Sequence, residues 1–86
     1  MCLEQLEQYI IHALTQANQG LEIVADCGQS KCAENAAHFL RRQKHWARAT
    51  LRAIEHGLNH DAMLAELETA ADKASVAMDR LGESLT

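Results

Sequence analysis

Residues 30–61 read SKCAENAAHFLRRQKHWARATLRAIEHGLNHD, and this stretch decides the fold. It carries an apolar residue every three or four positions, which is the period of an amphipathic helix. Ser30 is a good N-cap and Gly57 a good helix end, so the pattern predicts one helix over residues 31–57, about 40 Å long at 1.5 Å per residue. The predicted seam along this helix consists of Ala33, Ala37, Leu40, Lys44, Ala47, Leu51, Ile54 and Leu58.

The first third of the chain carries a similar seven-residue repeat, in which Gly20 takes one slot. A glycine there either ends a helix near residue 19 or weakens a longer helix by about 1 kcal/mol relative to alanine. Because the repeat keeps its phase through Gly20, we expect one helix over residues 3–27, with a neighbouring helix crossing closely at the glycine. The other members of the repeat are Leu3, Leu6, Ile10, Ala13, Ala17, Val24 and Cys27.

A third helix is predicted over residues 62–82, with Asn59 or Asp61 as its N-cap. Both connections between helices are short, so consecutive helices should be antiparallel neighbours. The sequence therefore predicts one all-α domain over residues 1–86, an up-down-up bundle of three long helices that dimerisation completes. The predicted seam of the third helix consists of Leu64, Leu67, Ala71, Ala74, Met78, Leu81 and Leu85.

The composition agrees with an all-helical chain. The 86 residues include 15 alanines, 11 leucines, no proline and one each of Phe, Tyr and Trp, whereas sheets favour β-branched and aromatic residues. No apolar run reaches the ~18 residues of a membrane span, and the acidic start does not resemble a signal peptide, so we expect a soluble, cytoplasmic protein. Three cysteines do not make a disulfide scaffold. Stability must then come from a thin, alanine-rich core, which favours a homodimer.

The second predicted helix has a further apolar arc beside its seam. At 100° per residue this arc holds Phe39 and Trp46, together with Cys32, Thr50 and Ala53. The helix is therefore apolar around about half of its circumference. Such a helix is either clamped between the other two within one chain or presents Phe39 and Trp46 to a second subunit. A groove for a helical protein partner is a third interpretation.

Charge is divided unevenly along the chain. Residues 1–30 carry four acids and no base, residues 31–52 six bases and one acid, and residues 53–86 seven acids and two bases. Pairing between the basic helix and its acidic neighbours is the interpretation we favour, ahead of an acidic protein partner. Binding to nucleic acid is a further alternative, which the net charge of −4 opposes. The basic and histidine-rich face of the second helix consists of Arg41, Arg48, Arg52, His38, His45 and His56.

Five histidines raise the question of a metal site. His56 and His60 have the i, i+4 spacing of paired helix ligands, and Cys2 could meet them at one end of the bundle. The helix break between the two histidines spoils that spacing, and four ligands are not assembled. We therefore predict no essential metal, with these histidines solvated or capping. Cys27 and Cys32 flank the first turn and are interpreted as small, partly buried residues.

Nothing in the sequence indicates catalysis. It has no glycine-rich phosphate loop, no nucleophile elbow and no helix with carboxylates and histidine at di-metal spacing. We expect a non-enzymatic helical interaction or chaperone-like module without a cofactor. The alternative is a small metal- or nucleic-acid-responsive regulator that uses the arginine and histidine face of the second helix.

Two parts of the chain resemble known families. The order of a long helix, Gly57, a short turn and an alanine-rich helix with Leu67, Met78 and Leu81 resembles the small helical co-chaperones of type III secretion needle subunits. That resemblance implies a helical hairpin that holds a partner helix. The run from His45 to Thr86, which ends in LGESLT, is similar to the end of the helical domain of the tRNA-modifying GTPases. That family's GTPase domain and C-terminal cysteine motif are absent, so no functional residue is transferred.

Overall fold

The computed structural model describes residues 3–85, with side chains up to residue 84. The described residues form three helices and no strand: α1 (Leu3–Asp26), α2 (Lys31–Glu55) and α3 (Asp61–Leu85). They lie side by side in a bundle of 44 × 18 × 18 Å. The predicted all-α, up-down-up architecture is confirmed, although α2 ends two residues before the predicted end and α3 continues three residues beyond it.

The two helix starts are fixed by side-chain caps. Ser30 has an extended backbone, and its hydroxyl accepts a hydrogen bond from the amide of Ala33 at 3.1 Å, as predicted for the N-cap of α2. At the start of α3, the side-chain oxygen of Asn59 accepts from the amide of Asp61 at 3.0 Å. Asp61 is the first helical residue, and the carbonyl of His60 accepts from the amide of Leu64 at 2.9 Å. His60 is therefore the N-cap, and the predicted N-cap at Asn59 or Asp61 is wrong by one residue.

Gly57 explains why α2 stops at residue 55. Its φ of 68° lies in the left-handed region that glycine adopts without steric cost. The amide of Leu58 donates to the carbonyl of Ala53 at 2.8 Å, and the amide of Gly57 donates to that of Ile54 at 3.1 Å. These two bonds form a Schellman motif, which satisfies the last carbonyls and turns the chain toward α3.

Gly20 lies inside one continuous helix, as its place in the repeat predicts. A Cβ added to Gly20 would lie 2.9 Å from both methyl groups of Leu40 on α2. The glycine is buried, so the absence of a side chain allows the two helices to approach at this level. The predicted close crossing is therefore confirmed, and Leu40 is the side chain that occupies the space.

The core is divided into two clusters along the bundle, each with contributions from all three helices. The first joins the end of α1, the start of α2 and the end of α3, and its buried members are Val24, Ala33, Ala36, Leu40, Ala74, Ala77 and Leu81. The second lies toward the other end, and its buried members are Ile10, Ala13, Ala47, Ile54 and Leu67. Alanine supplies half of the members, so the core is thin, as the composition predicts.

The predicted seam of α2 is wrong at alternate positions. The fully buried face uses Ala36, Gln43 and Thr50, while the predicted Ala37, Lys44 and Leu51 are only partly buried beside it. Gln43 and Thr50 can be buried because each has a hydrogen bond inside the bundle. The buried face of α2 is therefore shifted around the helix by a fraction of a turn, from the predicted seam toward Ala36, Gln43 and Thr50.

A similar rotation applies to α3. Leu67, Ala74 and Leu81 are buried as predicted, but Ala70 and Ala77 complete the buried face. The predicted Leu64, Ala71 and Met78 lie half-buried at its edge, and Leu85 lies outside the described side chains. The edge residues face the space between α3 and α1, where the two helices approach each other much less closely than either approaches α2.

Several large apolar side chains remain on the surface. Leu3 and Leu58, which were assigned to seams, are 54% and 61% exposed, because they lie at the beginning of α1 and in the loop after α2. Exposed side chains also occur within helices, and the clearest are Ile11, Ile23 and Val76. None of the three described helices is both long and apolar enough to cross a membrane.

Candidate functional site

The two predicted aromatic residues lie between α2 and α3, half-buried against the core. Phe39 packs against the first cluster and Trp46 against the second. The Nζ atom of Lys73 on α3 lies 5.7 Å from the centre of the Phe39 ring, a distance typical of a cation–π contact. Each ring also has an edge-on histidine neighbour at 5.0 Å. Both rings therefore pack against the core of their own chain, and part of each ring remains exposed.

A shallow cavity of about 350 Å³ lies beside Phe39 and is largely apolar at Val76 and Ala77. Charges of both signs surround it, and Arg42 of α2 lies 3.9 Å from Glu66 of α3. We call this surface the aromatic face. It consists of Phe39, Trp46, Val76, Arg42, Glu66, Lys73 and Arg80.

Four of the six residues of the predicted basic face form one surface with Lys44, which we call the basic ridge, whereas His38 and His56 do not line it. Its cationic members line a shallow depression of about 290 Å³ with no acid in its lining. The predicted pairing between α2 and an acidic neighbouring helix occurs at Arg42, which lies 3.9 Å from Glu66 of α3, but among the described residues it includes no member of the ridge. The ridge consists of Arg41, Lys44, His45, Arg48 and Arg52.

A groove runs between α1 and α3, on the far side of the bundle from the basic ridge. Its middle part has a volume of about 300 Å³, with Leu40 and Gln43 of α2 as its floor. A second, separate cavity of about 450 Å³ lies between the starts of α1 and α3. The residues that line the two parts are Leu6, Tyr9, Gln16, Gln19, Gly20, Ile23, His60, Asp61, Leu64, Glu68, Ala71, Ala74, Ser75 and Met78.

Gln43 is the one polar residue that reaches the floor of the groove from the core. It is 4% exposed, and its side-chain nitrogen donates to the carbonyl of Ala13 at 2.8 Å. Its side-chain oxygen accepts no hydrogen bond from a described residue. Among the described residues no enclosed side-chain polar atom is without a partner, so this oxygen must be open to the groove. The floor therefore presents one free hydrogen-bond acceptor.

The α3 wall of the groove is acidic toward its start. Tyr9 on α1 is affected, because partial burial and then the charges of Glu68 and Asp72 raise the pKa of its hydroxyl above the usual value of 10.0. Two carboxylates that act on a phenol of the facing helix indicate a negative potential across the groove. The two cations of α3, Lys73 and Arg80, lie instead on the aromatic face.

The predicted metal ligands do not form a described site. His56 is exposed at the end of α2, and His60 lies beyond the turn, where it lines the groove near Leu6. Cys2 lies outside the described residues. Among residues 3–85 no group of three or more histidine, cysteine or acidic side chains is placed to hold an ion. Cys27 and Cys32 are partly buried thiols, as predicted.

The groove was not predicted from the sequence. The sequence does contain a pattern for the α1 wall of the groove, because uncharged residues recur there at heptad spacing beside the buried seam. Those residues are Tyr9, Gln16, Gln19 and Ile23. Comparison of the chain with protein families, curated proteins and solved structures finds no match.

Proposed function

We propose that this chain is a small, non-enzymatic, chaperone-like interaction module that works as a homodimer through the aromatic face. The observation that carries the proposal is the composition of that face, where half-buried rings and a 52% exposed Val76 lie among charges of both signs. A surface of mixed charge can meet its own copy across a two-fold axis, with opposite charges brought together. An apolar centre supplies the driving force for association.

The dimensions of the bundle also support a dimer. One lateral side of 44 × 18 Å offers an area on the order of 800 Å² per subunit, which is the amount that a standard stable interface uses. The monomer has a thin core of alanines, so burial of Phe39, Trp46 and Val76 would add apolar area that one chain lacks. Self-association is then a source of stability as well as of function.

Sedimentation velocity at micromolar concentration tests the dimer. We expect twice the chain mass of 9.5 kDa for the native protein and a single chain mass for Val76→Glu. Ile11→Glu is the matched control, because Ile11 is also 52% exposed but lies on α1, outside the aromatic face. A native protein that sediments as a monomer, or a Val76→Glu variant that remains dimeric, would remove the aromatic face from the proposal.

A second candidate function is regulation through the basic ridge. The observation in its favour is that Arg41, Arg48 and Arg52 are exposed and form no ion pair with a described residue. Aligned arginines can bind phosphates, and such binding weakens steeply with salt. Fluorescence anisotropy with labelled single-stranded RNA and duplex DNA is the test, with the three arginines replaced by glutamine as the comparison. Salt-sensitive binding that the triple variant loses would favour this function over the interaction module.

A further inference from the structure

The groove between α1 and α3 has the length and the floor of a helix-binding site. It extends over residues 6–23 of α1 and 61–78 of α3, about 26 Å or five turns at 1.5 Å per residue. Its walls are two helices that run in the same direction, and its floor holds apolar Leu40 beside Gln43. A fourth helix laid between two such walls would complete a four-helix bundle.

The charges beside the groove select the partner. α1 contributes no charged residue to the lining of the groove, and the only two bases of α3 lie on the aromatic face. Asp61 and Glu68 line the groove itself, and partial burial followed by the charges of Glu68 and Asp72 raises the pKa of Tyr9 on the facing helix. A helix with lysines or arginines along the edge that meets α3 would meet these carboxylates, whereas an acidic helix would be repelled.

Gln43 adds a polar requirement at one point of the contact. The residue is only 4% exposed, yet its side-chain oxygen is not fully enclosed and accepts from no described residue. A docked helix that covered this oxygen with an apolar residue would leave a buried acceptor unpaired, which costs binding free energy. A helix with a glutamine, asparagine, serine or threonine at that position would instead donate to it.

We infer that the groove between α1 and α3 binds an amphipathic helix of a partner protein, with small and apolar residues inward, basic residues along the edge that meets α3 and one hydrogen-bond donor opposite Gln43. This inference rests on the proposed function in one respect, that the protein acts by binding other proteins. It uses a different side of α3 from the dimer. A second copy is not the occupant, because the lining of its groove contains no lysine or arginine to meet Asp61 and Glu68.

The test uses the native full chain and fluorescein-labelled helical peptides of about three heptads. The reference peptide has alanine and leucine at its inner positions, one central inner glutamine and lysines along one edge. One matched peptide has glutamate in place of every lysine, and another has leucine in place of the glutamine. By fluorescence anisotropy, we expect the lysine peptide to bind at least about tenfold more tightly than the glutamate peptide.

Variants locate the bound peptide. Ser75 is exposed and lines the groove, so Ser75→Leu should fill it without disturbing the core and weaken peptide binding by about tenfold. Thr69→Leu is the matched control, since Thr69 is also an exposed hydroxyl residue of α3 but lies ~120° around the helix from Ser75. In Gln43→Leu the preference for the glutamine peptide over the leucine peptide should disappear, while the circular dichroism spectrum stays helical.

Several outcomes would overturn the inference. Equal binding of the lysine and glutamate peptides would remove the charge argument, and full binding by Ser75→Leu would place the peptide elsewhere. A change of oligomeric state in Ser75→Leu would make a second copy the occupant. These failures are separate from failure of the dimer. A monomeric protein that binds the lysine peptide keeps the groove and loses the dimer, and a dimer that ignores the peptide does the reverse.

Discussion

The two sides of α3 form two different surfaces from neighbouring residues of one helix. Ser75 lines the groove that α3 forms with α1, and the next residue, Val76, lies on the aromatic face that α3 shares with α2. The groove side carries carboxylates and no lysine or arginine among its lining residues. The aromatic face carries charges of both signs around exposed apolar atoms.

The packing distances between the helices explain why α2 is the central helix. Alanines of α2 and α3 permit close contact of the two helices, and Gly20 does the same for α1 and α2. Between α1 and α3 the lining also includes the longer side chains of Gln16, Gln19, Ile23 and Met78, and these two helices lie further apart. Close packing requires small residues throughout the contact, so this seam stays open.

The largest predicted change in stability is the loss of a core side chain of α3, compared with the loss of a groove side chain of the same helix. Leu81 is 2% exposed in the first cluster, so Leu81→Ala should lower the free energy of unfolding by ~2–5 kcal/mol. Met78 is only partly buried at the groove, and Met78→Ala should cost about 1 kcal/mol. Urea denaturation followed by circular dichroism measures both. Equal losses would mean that the space between α1 and α3 is as tightly packed as the core.

A pair of glycine variants tests the close contact of α1 with α2. Gly20→Val places methyl groups against Leu40 and should destabilise the protein by ~1–3 kcal/mol. Gly82→Val makes the same chemical change in α3, where an added Cβ has no atom within 4 Å, and should leave stability unchanged or raised by a few tenths of a kcal/mol. Thermal melts of the two variants distinguish them. A harmless Gly20→Val would contradict the close approach.

Charge removal should have smaller effects that differ between the two faces of α2. Arg42→Gln removes the exposed ion pair with Glu66 and should cost only ~0.2–1 kcal/mol. Replacing Arg41, Arg48 and Arg52 together by glutamine should change stability by less than ~0.5 kcal/mol, because none of them has an acidic partner among the described residues. A loss in the triple variant larger than in Arg42→Gln would restore the pairing that the charge distribution suggested.

The smallest effect concerns the ionisation of Tyr9. Since its pKa is raised in the folded protein, the unfolded chain ionises first as the pH rises past 10.0, and folding stability falls there. Absorbance titration of the phenol should give a midpoint above 10.0, and Glu68→Gln with Asp72→Asn should lower it toward that value. An unchanged midpoint in the double variant would mean that these carboxylates do not face Tyr9.

Local signals in the sequence predicted the elements of the fold well. Ser30 and Gly57 fixed the ends of α2, because capping depends on one side chain or one backbone conformation. The phase of the α1 repeat predicted both the continuity of the helix through Gly20 and the close crossing there. These features involve few residues and little tertiary context.

The rotation of α2 and the groove depended on contacts that apolar periodicity does not encode. Gln43 and Thr50 look like surface residues in the sequence, but hydrogen bonds to the carbonyls of Ala13 and Trp46 allow both to be buried. The walls of the groove include uncharged polar residues such as Gln16 and Gln19, which contribute to neither an apolar nor a charged pattern in the sequence. The two walls form a groove only because the fold places α1 beside α3.

Sedimentation velocity of two adjacent substitutions tests most directly whether α3 has two separate surfaces. Ser75→Glu and Val76→Glu add the same charge at consecutive exposed positions. We predict that Val76→Glu sediments as a monomer of 9.5 kDa, while Ser75→Glu remains a dimer like the native protein. Dissociation by Ser75→Glu with a dimeric Val76→Glu would contradict the account, because the groove would then be the surface that joins the subunits.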